Sequence, residues 1–190
     1  PWGGNKALFG TDPIAFACPR AGKPPMVFDY ATSASARGEI QVAAREGHSI
    51  PKGWALDKDG NDTTDPAAAL EGVQLPFGGH KGNAIMIMVE LLSAGLTGGN
   101  FCFEAQEQVD AFGGHDAGPS NAGQIFILID PKGFHETFLD RVEALFGKIL
   151  AQEGTRIPGD RRYANRARSA TDGIECQAAL HQQILDMRDG

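Results

Sequence analysis

The stretch from Lys81 to Thr97 limits the folds open to this chain more than any other. Its middle, AIMIMVELL over 84–92, is apolar almost all round, which is typical of a helix enclosed by other layers. It contains Glu90 and is shorter than the roughly 20 apolar residues that a bilayer span requires. The sequence therefore predicts a globular domain built around a buried central helix.

Charge and cysteine content exclude several classes of function. The 190 residues contain 17 Lys and Arg against 24 Asp and Glu, and no basic block, so we expect no nucleic-acid partner and no membrane. The three cysteines lie far apart, which argues against structural zinc and disulfides and favours a reducing cytoplasm. From the sequence given, which begins at Pro1, we expect no signal peptide. We expect no metal site, because these histidines lack metal-ligand spacing: His48, His115, His135 and His181.

Composition changes near residue 135, where we place a boundary between 1–135 and 136–190. Strands, turns and glycine-rich loops precede it, and amphipathic helices follow it. The elements expected before the boundary are strands at 13–18, 26–30 and 124–130, helices at 32–45, 67–70 and 81–97, a turn at 57–60 and a loop at 112–121. Those expected after it are helices at 136–149, 160–170 and 174–187.

Familiar cofactor and catalytic motifs are missing from the chain. No G-x-G-x-x-G turn and no P-loop is present, so neither a standard Rossmann nucleotide turn nor a P-loop can be identified. The serine hydrolase motif G-x-S-x-G and the zinc peptidase motif H-E-x-x-H are also absent. Any anion site must therefore be inferred from other stretches, of which three stand out.

The first stretch is VFDYATSASARG over 27–38. A strand ends near Asp29 or Tyr30, and a helix is expected to begin near Thr32, so free N–H groups would face an anion. Ser33 adds a hydroxyl and Arg37 adds a positive charge. The alternative is an ordinary helix that Thr32 caps.

The second stretch is FGGHKG over 77–82, immediately before the apolar helix. Lys81 in the first turn of that helix opposes the helix dipole, and such exceptions to local preference tend to mark functional sites. A phosphate or carboxylate would suit Lys81, and His80 would donate a hydrogen bond or stack. The alternative is a glycine-rich turn with a solvated lysine.

The third stretch is TRIPGDRR over 155–162. Its arginines flank a Pro-Gly turn, and guanidinium groups match phosphate oxygens in a bidentate way. The 2′-phosphate of NADP is a ligand that such a cluster would hold. The alternative is a solvated face with surface ion pairs.

Taken in order, six segments resemble the malate/L-lactate dehydrogenase family of non-Rossmann NAD(P)-dependent oxidoreductases. They are GTDPIAFACPR (10–20), VFDYATSASARG (27–38), IPKGWALDKDGNDTTDPAAALEG (50–72), LPFGGHKG (75–82), VELLSAGLTGG (89–99) and RIPGDRR (156–162). The resemblance implies an α/β fold with a mixed, largely antiparallel sheet flanked by helices. It also implies that the C-terminal helices belong to a second helical domain and pack on an N-terminal domain absent from this chain.

The resemblance also implies roles for individual residues. Thr11 would bind substrate, and Glu39 would assist a catalytic His that lies outside this sequence. The cofactor would contact Asp29, Tyr30, Ala31, Ser33, Arg37, Gly38, His80, Lys81, Arg156, Ile157, Pro158, Gly159, Asp160, Arg161 and Arg162.

Within that family, ATSASARGE (31–39) and GGHKGNAIMIM (78–88) are more similar to Δ1-piperideine-2-carboxylate/Δ1-pyrroline-2-carboxylate reductases than to malate dehydrogenases. The resemblance implies an enzyme that uses NADPH to reduce cyclic imino acids to L-pipecolate or L-proline. One alternative is a 2-hydroxyacid dehydrogenase that uses NAD or NADP. Another is a cofactor-binding fragment, inactive without its missing domain. A cytoplasmic homodimer is expected, with the apolar segment 101–103 contributing to its interface.

Overall fold

The chain divides into two compact units in a computed structural model that describes residues 1–112, 120–176 and 178–189. The first unit contains 1–16 and 29–130, and the second contains 17–28 and the residues from 131 onward. We predicted a single boundary at residue 135; the units instead interleave along the chain, because 17–28 packs with the C-terminal helices. Most of the predicted loop 112–121, with His115, lies outside the described residues.

Two strands form a hairpin near the start of the chain. Strand β1 (Ile14–Arg20) pairs with β2 (Lys23–Tyr30) in a two-stranded sheet. Only two residues connect them, which makes the pairing antiparallel. The two strands predicted at 13–18 and 26–30 are thereby confirmed.

The first unit contains a small antiparallel sheet with the order β4-β3-β5. Strand β3 (Ala55–Leu56) pairs with β4 (Asp62–Thr63) on one side and with β5 (Val73–Gln74) on the other. Helices α1 (Arg37–Glu46) and α2 (Pro66–Glu71) pack against each other beside it. The buried core here consists of Ile40, Ile50, Ala55 and Ala69.

Helix α3 (His80–Glu90) occupies the predicted central position and continues into a π-helical turn over Leu91–Gly95. Its burial differs from the prediction. Only Gly82, Met86 and Glu90 are buried, at positions i, i+4 and i+8, so a single stripe faces the core. Apolar side chains all round the helix did not require a covering layer on every side, and Ile87, Met88 and Leu91 are exposed. Helix α4 (Cys102–Phe112), which the sequence analysis missed, follows.

Two further predictions for the first unit are wrong. The structure assigns no strand to 120–130, and Phe126 and Leu128 are 78% and 89% exposed. An apolar run predicts a buried strand only where other layers cover it, which the run itself does not specify. The first helix begins at Arg37 rather than near Thr32, and Ala36 occupies its N-cap.

The second unit contains helices α5 (Phe138–Leu150), α6 (Asp160–Asp172) and α7 (Ala178–Asp189), near the predicted positions. The side chains buried in its core are Cys18, Val142, Phe146 and Ile157. Arg20 binds Glu143 through both carboxylate oxygens, at 2.8 and 2.9 Å, and its guanidinium lies 4.9 Å from the ring centre of Phe146. Lys23 binds the same carboxylate at 2.7 Å, and these cations, Arg20 first, lower the pKa of Glu143 to about 2.

The predicted fold class is confirmed: the chain is α/β, with antiparallel strands and flanking helices. No helix within the described ranges is both long enough and apolar enough to cross a bilayer.

Thr32 joins three segments of the first unit and is fully buried. Its N–H and its hydroxyl both donate to the carbonyl of Thr11, at 2.8 and 2.9 Å, and its own carbonyl accepts the N–H of Phe77 at 2.9 Å. The N–H of Ala34 donates to Leu75 at 2.8 Å, which extends the contact along the chain. Thr32 is therefore a strand-like junction and not the helix cap of the alternative interpretation.

Replacing Thr32 by Val removes the hydroxyl and keeps the side-chain shape. The Thr11 carbonyl then loses one of two donors, so we expect the free energy of unfolding to fall by about 1 kcal/mol. Urea denaturation measures this. The control is Thr64→Val at an exposed threonine, where we expect a change below about 0.5 kcal/mol. Equal losses in the two variants would contradict the role of the hydroxyl.

Candidate nucleotide and substrate site

A cavity of about 240 Å³ lies in the first unit, beside the Thr32 junction. Thr11, Ser33 and Arg37, three of the predicted site residues, line it. Most of the remaining wall comes from 1–10 and 72–76, with Met86 from the buried stripe of α3. The volume is below the range of about 300–1,000 Å³ typical of drug-sized ligands, so the space suits one small ring and not a whole dinucleotide.

Hydrogen bonds hold two sides of this cavity in place. The Thr11 carbonyl is fixed by Thr32, while its side chain is exposed at the cavity. Ser33 donates its hydroxyl to the carbonyl of Ser35 at 2.7 Å, and Gln74 donates to the same carbonyl at 2.8 Å. Hydroxyl and backbone groups are thus positioned around the space before any ligand enters.

Arg37 is the first residue of α1 and brings a positive charge to the cavity. Its Nη2 donates to the carbonyl of Leu70 at 3.3 Å, and its side chain is otherwise exposed. Because the helix begins here and not near Thr32, the N–H of Thr32 is not free for an anion: it is already bonded to the carbonyl of Thr11. The charge beside the cavity comes from Arg37, with Lys6 also in the wall.

Asp29 and Tyr30 end β2, and Ala31 follows them directly. Asp29 and Tyr30 are exposed, and Ala31 is half-buried. The Tyr30 ring meets the Phe77 ring edge-to-face, with 5.9 Å between the ring centres. This contact places the end of β2 beside the glycine turn that precedes α3.

The glycine turn starts α3, so that Lys81 lies in its first turn as predicted, and both His80 and Lys81 are exposed. A Cβ on Gly82 would lie 1.8 Å from the Phe77 carbonyl oxygen, so only glycine allows this close approach. The N-cap, Gly79, offers no side-chain acceptor to the first N–H groups of the helix. Trp2 packs over Gly79 and donates its backbone N–H to the side chain of Asn83 at 2.9 Å.

Glu39 and Gly38 line a different space. They face a more open cavity of about 460 Å³ whose wall includes His48 and Trp54. Glu39 is exposed, and it is not among the residues that line the smaller cavity with Thr11. The structure therefore brings Arg37 to Thr11 but places Glu39 on another face of the same helix.

The third predicted stretch lies in the second unit. The arginines of this stretch, Arg156, Arg161 and Arg162, are all exposed. Ile157 is 1% exposed and belongs to the core, and Asp160 accepts the N–H of Ile157 at 2.9 Å.

The turn itself is fixed by its glycine and by β2. Gly159 has a φ of +98°, which favours glycine, and a Cβ there would lie 3.2 Å from the Val27 carbonyl oxygen. The N–H of Val27 donates to the carbonyl of Pro158 at 3.2 Å. Pro158 itself is exposed. Side chains at the turn are thus divided between structural contacts and three outward-facing cations.

Sequence reasoning missed a buried polar cluster next to Thr11, which consists of Asp12, Glu90 and Cys102. Glu90 inside an apolar helix was the available signal, because a buried carboxylate needs a partner. The partners come from distant parts of the chain, so no local pattern could identify them.

Comparison with known proteins places these features in a family. The profile of the malate/L-lactate dehydrogenase family matches residues 1–185. A Delta(1)-pyrroline-2-carboxylate/Delta(1)-piperideine-2-carboxylate reductase of Pseudomonas syringae pv. tomato is 51% identical over 190 residues, which cover 98% of this chain and 54% of that protein. A (2R)-3-sulfolactate dehydrogenase (NADP(+)) of Chromohalobacter salexigens is 45% identical over 184 residues, with 97% and 54% covered.

Solved structures agree with this comparison. The crystal structure of delta1-piperideine-2-carboxylate reductase from P. syringae pv. tomato has a TM-score of 0.85 and 48% identity, and the match covers 98% of this chain and 55% of that one. The chain thus spans about half the length of the relatives it matches.

Proposed function

We propose that this chain, which belongs to the malate/L-lactate dehydrogenase family, is the cofactor-binding part of an NADPH-dependent reductase of cyclic imino acids. The substrates would be Δ1-piperideine-2-carboxylate and Δ1-pyrroline-2-carboxylate, and the products L-pipecolate and L-proline. The observation that carries the proposal is the cavity where Thr11, Ser33 and Arg37 meet. The Pseudomonas syringae relative, which is 51% identical to this chain over 190 residues, is named as a reductase of these two imino acids.

The cavity suits a small ring that bears a carboxylate. Its volume of about 240 Å³ leaves room for a five- or six-membered ring. The Arg37 guanidinium would pair with the carboxylate, since its planar fork matches two oxygens at once. The Thr11 hydroxyl would hydrogen-bond the same substrate. Arg37, predicted from sequence as a cofactor contact, is thus proposed to serve the substrate as well.

Residues of the first unit that would hold the cofactor lie at the end of β2 and the start of α3. Asp29 would accept hydrogen bonds from hydroxyl groups of the cofactor, and Lys81 would pair with a phosphate. The start of α3 supports this role, because its uncapped N–H groups and its dipole favour an anion there. His80, exposed beside Lys81, would donate a further hydrogen bond.

In the second unit, the cofactor contact that we propose is a phosphate held by Arg156, Arg161 and Arg162. Their exposure supports this, because it leaves three guanidinium groups accessible at one turn and such groups match phosphate oxygens in a bidentate way. Ile157 and Asp160 would act indirectly, by fixing the turn. We therefore prefer NADPH, which bears a 2′-phosphate, to NADH.

Bound NADPH would supply the hydride that reduces the C=N carbon. The residues of this chain would bind and orient the substrate, and the imine nitrogen would carry the proton that completes the amine. Glu39 is exposed on α1, where it would be accessible to a catalytic His from outside this sequence. We assign it the role of orienting that His.

We extend the proposal to a cytoplasmic homodimer. The stacked rings of Phe101 and Phe103, 5.8 Å apart, and the exposed apolar side of α3 at Ile87 and Met88 would contribute to the interface between copies.

Turnover with a panel of substrates tests the proposed reaction. NADPH oxidation by the complete gene product is followed with the two cyclic imino acids, pyruvate and oxaloacetate, with the 190-residue chain in parallel. We expect turnover of the imino acids by the complete product and none by the chain alone. Brisk reduction of pyruvate or oxaloacetate without imino acid turnover would contradict the proposal and support a 2-hydroxyacid dehydrogenase. That second candidate is favoured by the 45% identity to the sulfolactate dehydrogenase.

Replacing both Arg161 and Arg162 by Ala tests the choice of cofactor. We expect the affinity for NADPH to fall at least tenfold and the affinity for NADH to change little, because only NADPH carries the 2′-phosphate. Isothermal titration calorimetry of the chain measures both. Arg166→Ala and Arg168→Ala together, at two exposed arginines later on α6, form the matched control. Equal losses for the two cofactors would contradict the role of Arg161 and Arg162.

A further inference from the structure

Three side chains of the first unit converge next to Thr11. Asp12 comes from the segment before β1, Glu90 ends α3 and Cys102 begins α4. One carboxylate oxygen from each acid and the Cys102 sulfur all lie within 4.8 Å of one another. Asp12 and Glu90 are only 5% and 7% exposed. Two negative charges at this distance, away from water, repel each other strongly.

One buried carboxylate oxygen of the cluster has no hydrogen-bond partner among the described protein groups. Asp12 Oδ1 accepts from the Cys102 thiol at 3.5 Å, and Glu90 Oε2 accepts the backbone N–H of Cys102 at 3.3 Å. Asp12 Oδ2 is buried and has no partner among the protein groups that the structure describes. A proton on this oxygen would be donated to Glu90, which would satisfy the atom and remove one of the two charges.

We infer that Asp12 and Glu90 share a single proton, and that this pair holds the Gly10–Asp12 segment so that Thr11 is positioned at the cavity. Cys102 completes the arrangement as a neutral thiol. The positioning of Thr11 rests on the proposed function, because only there does Thr11 bind substrate. The shared proton is independent of the proposed function.

The electrostatics of the cluster agree with the geometry. Burial, followed by the charge of Glu90, raises the pKa of Asp12 to about 6. Burial also raises the pKa of Cys102 to about 12, so the thiol remains a donor. Glu90 from α3 and Cys102 from α4 are the titratable groups that influence Asp12, and no cation acts on it within the described part of this unit.

Asp12 also has an unusual backbone conformation. Its φ is +36°, the one positive value outside glycine among the described residues, and aspartate and asparagine tolerate this region best. Asn is therefore the natural replacement: it keeps the backbone preference, and its amide N–H₂ can donate to Glu90 in place of the proton.

The shared proton makes stability depend on pH in a defined direction. The pKa of Asp12 is about 6 in the folded chain and about 3.8 when unfolded. Between these values the folded chain binds the extra proton, so stability falls as pH rises, and the loss is complete above about pH 6. The shift corresponds to about a hundredfold rise in the unfolding equilibrium constant.

Infrared spectroscopy and denaturation test the shared proton in the 190-residue chain. We expect a protonated-carboxyl C=O band that persists to about pH 6 and is absent from Asp12→Asn. The urea midpoint should fall between about pH 4 and pH 7 in the wild type, with a smaller fall in Asp12→Asn. Asp59→Asn, at an exposed turn aspartate, should follow the wild type. Should Asp12→Asn not fold, Glu90→Gln provides the same loss of the band.

Two results would overturn the inference. One is a carboxyl band that disappears near pH 4 in the wild type with equal pH dependence in all variants. The other is a metal in the cluster: the three groups are possible zinc ligands. Zinc that raises the unfolding midpoint, with EDTA reversing it and Asp12→Asn abolishing it, would replace the shared proton by a metal site.

A pH profile tests the positioning of Thr11 separately. In the active complete gene product of the wild type, we expect KM for the imino acid to rise as the pH passes through about 6. In Asp12→Asn we expect no such rise. An identical profile in both proteins would contradict the positioning role. If the infrared band is present but imino acids are not turned over, the shared proton stands and the proposed function fails.

Discussion

The paired hydrogen bonds from Thr32 to the Thr11 carbonyl are the interaction on which the first unit depends. They join the segment before β1 to the segment after β2, and the Thr32 carbonyl extends the connection to Phe77. Three stretches far apart in sequence therefore meet at one buried residue. The cavity, the glycine turn and the start of α3 are all placed relative to this junction. Burial of Thr32 leaves none of its polar groups unsatisfied, because its N–H, hydroxyl and carbonyl are all hydrogen-bonded.

Local sequence patterns predicted those elements that interactions between nearby residues determine. The first two strands followed from short β-prone runs on either side of a turn, the amphipathic α5 from a 3.6-residue repeat, and the start of α3 from a glycine-rich turn. These features depend on residues close together in the chain, which is why a single sequence contains them.

The errors arose where burial depends on distant partners. The apolar run 124–130 was expected to be a buried strand, but it is exposed, because the sequence of the run does not specify which layers would cover it. The start of α1 was misplaced because Thr32 resembles an N-cap, while its hydrogen bonds go to Thr11. The cluster of Asp12, Glu90 and Cys102 depends on contacts across most of the first unit, and its one local signal, Glu90 in an apolar helix, does not identify the partners.

The proposed chemistry divides into binding steps that each unit performs with its own residues. The first unit contributes a small cavity with Thr11 and Arg37, and an anion-attracting helix start at His80 and Lys81. The second contributes arginines held by a fixed turn. In the proposed function, the general acid and the rest of the chemistry would come from residues outside this sequence, which spans about half the length of the relatives it matches.

Hydrogen–deuterium exchange with and without NADPH tests the central claim, that these three stretches bind the cofactor. Bound cofactor slows exchange wherever it orders or covers backbone N–H groups. We expect protection of peptides that cover 29–38 and 77–82 in the first unit and 156–162 in the second, with NADH protecting the last of these less. Unchanged exchange in all three stretches at saturating NADPH, or protection confined to other parts of the chain, would contradict it.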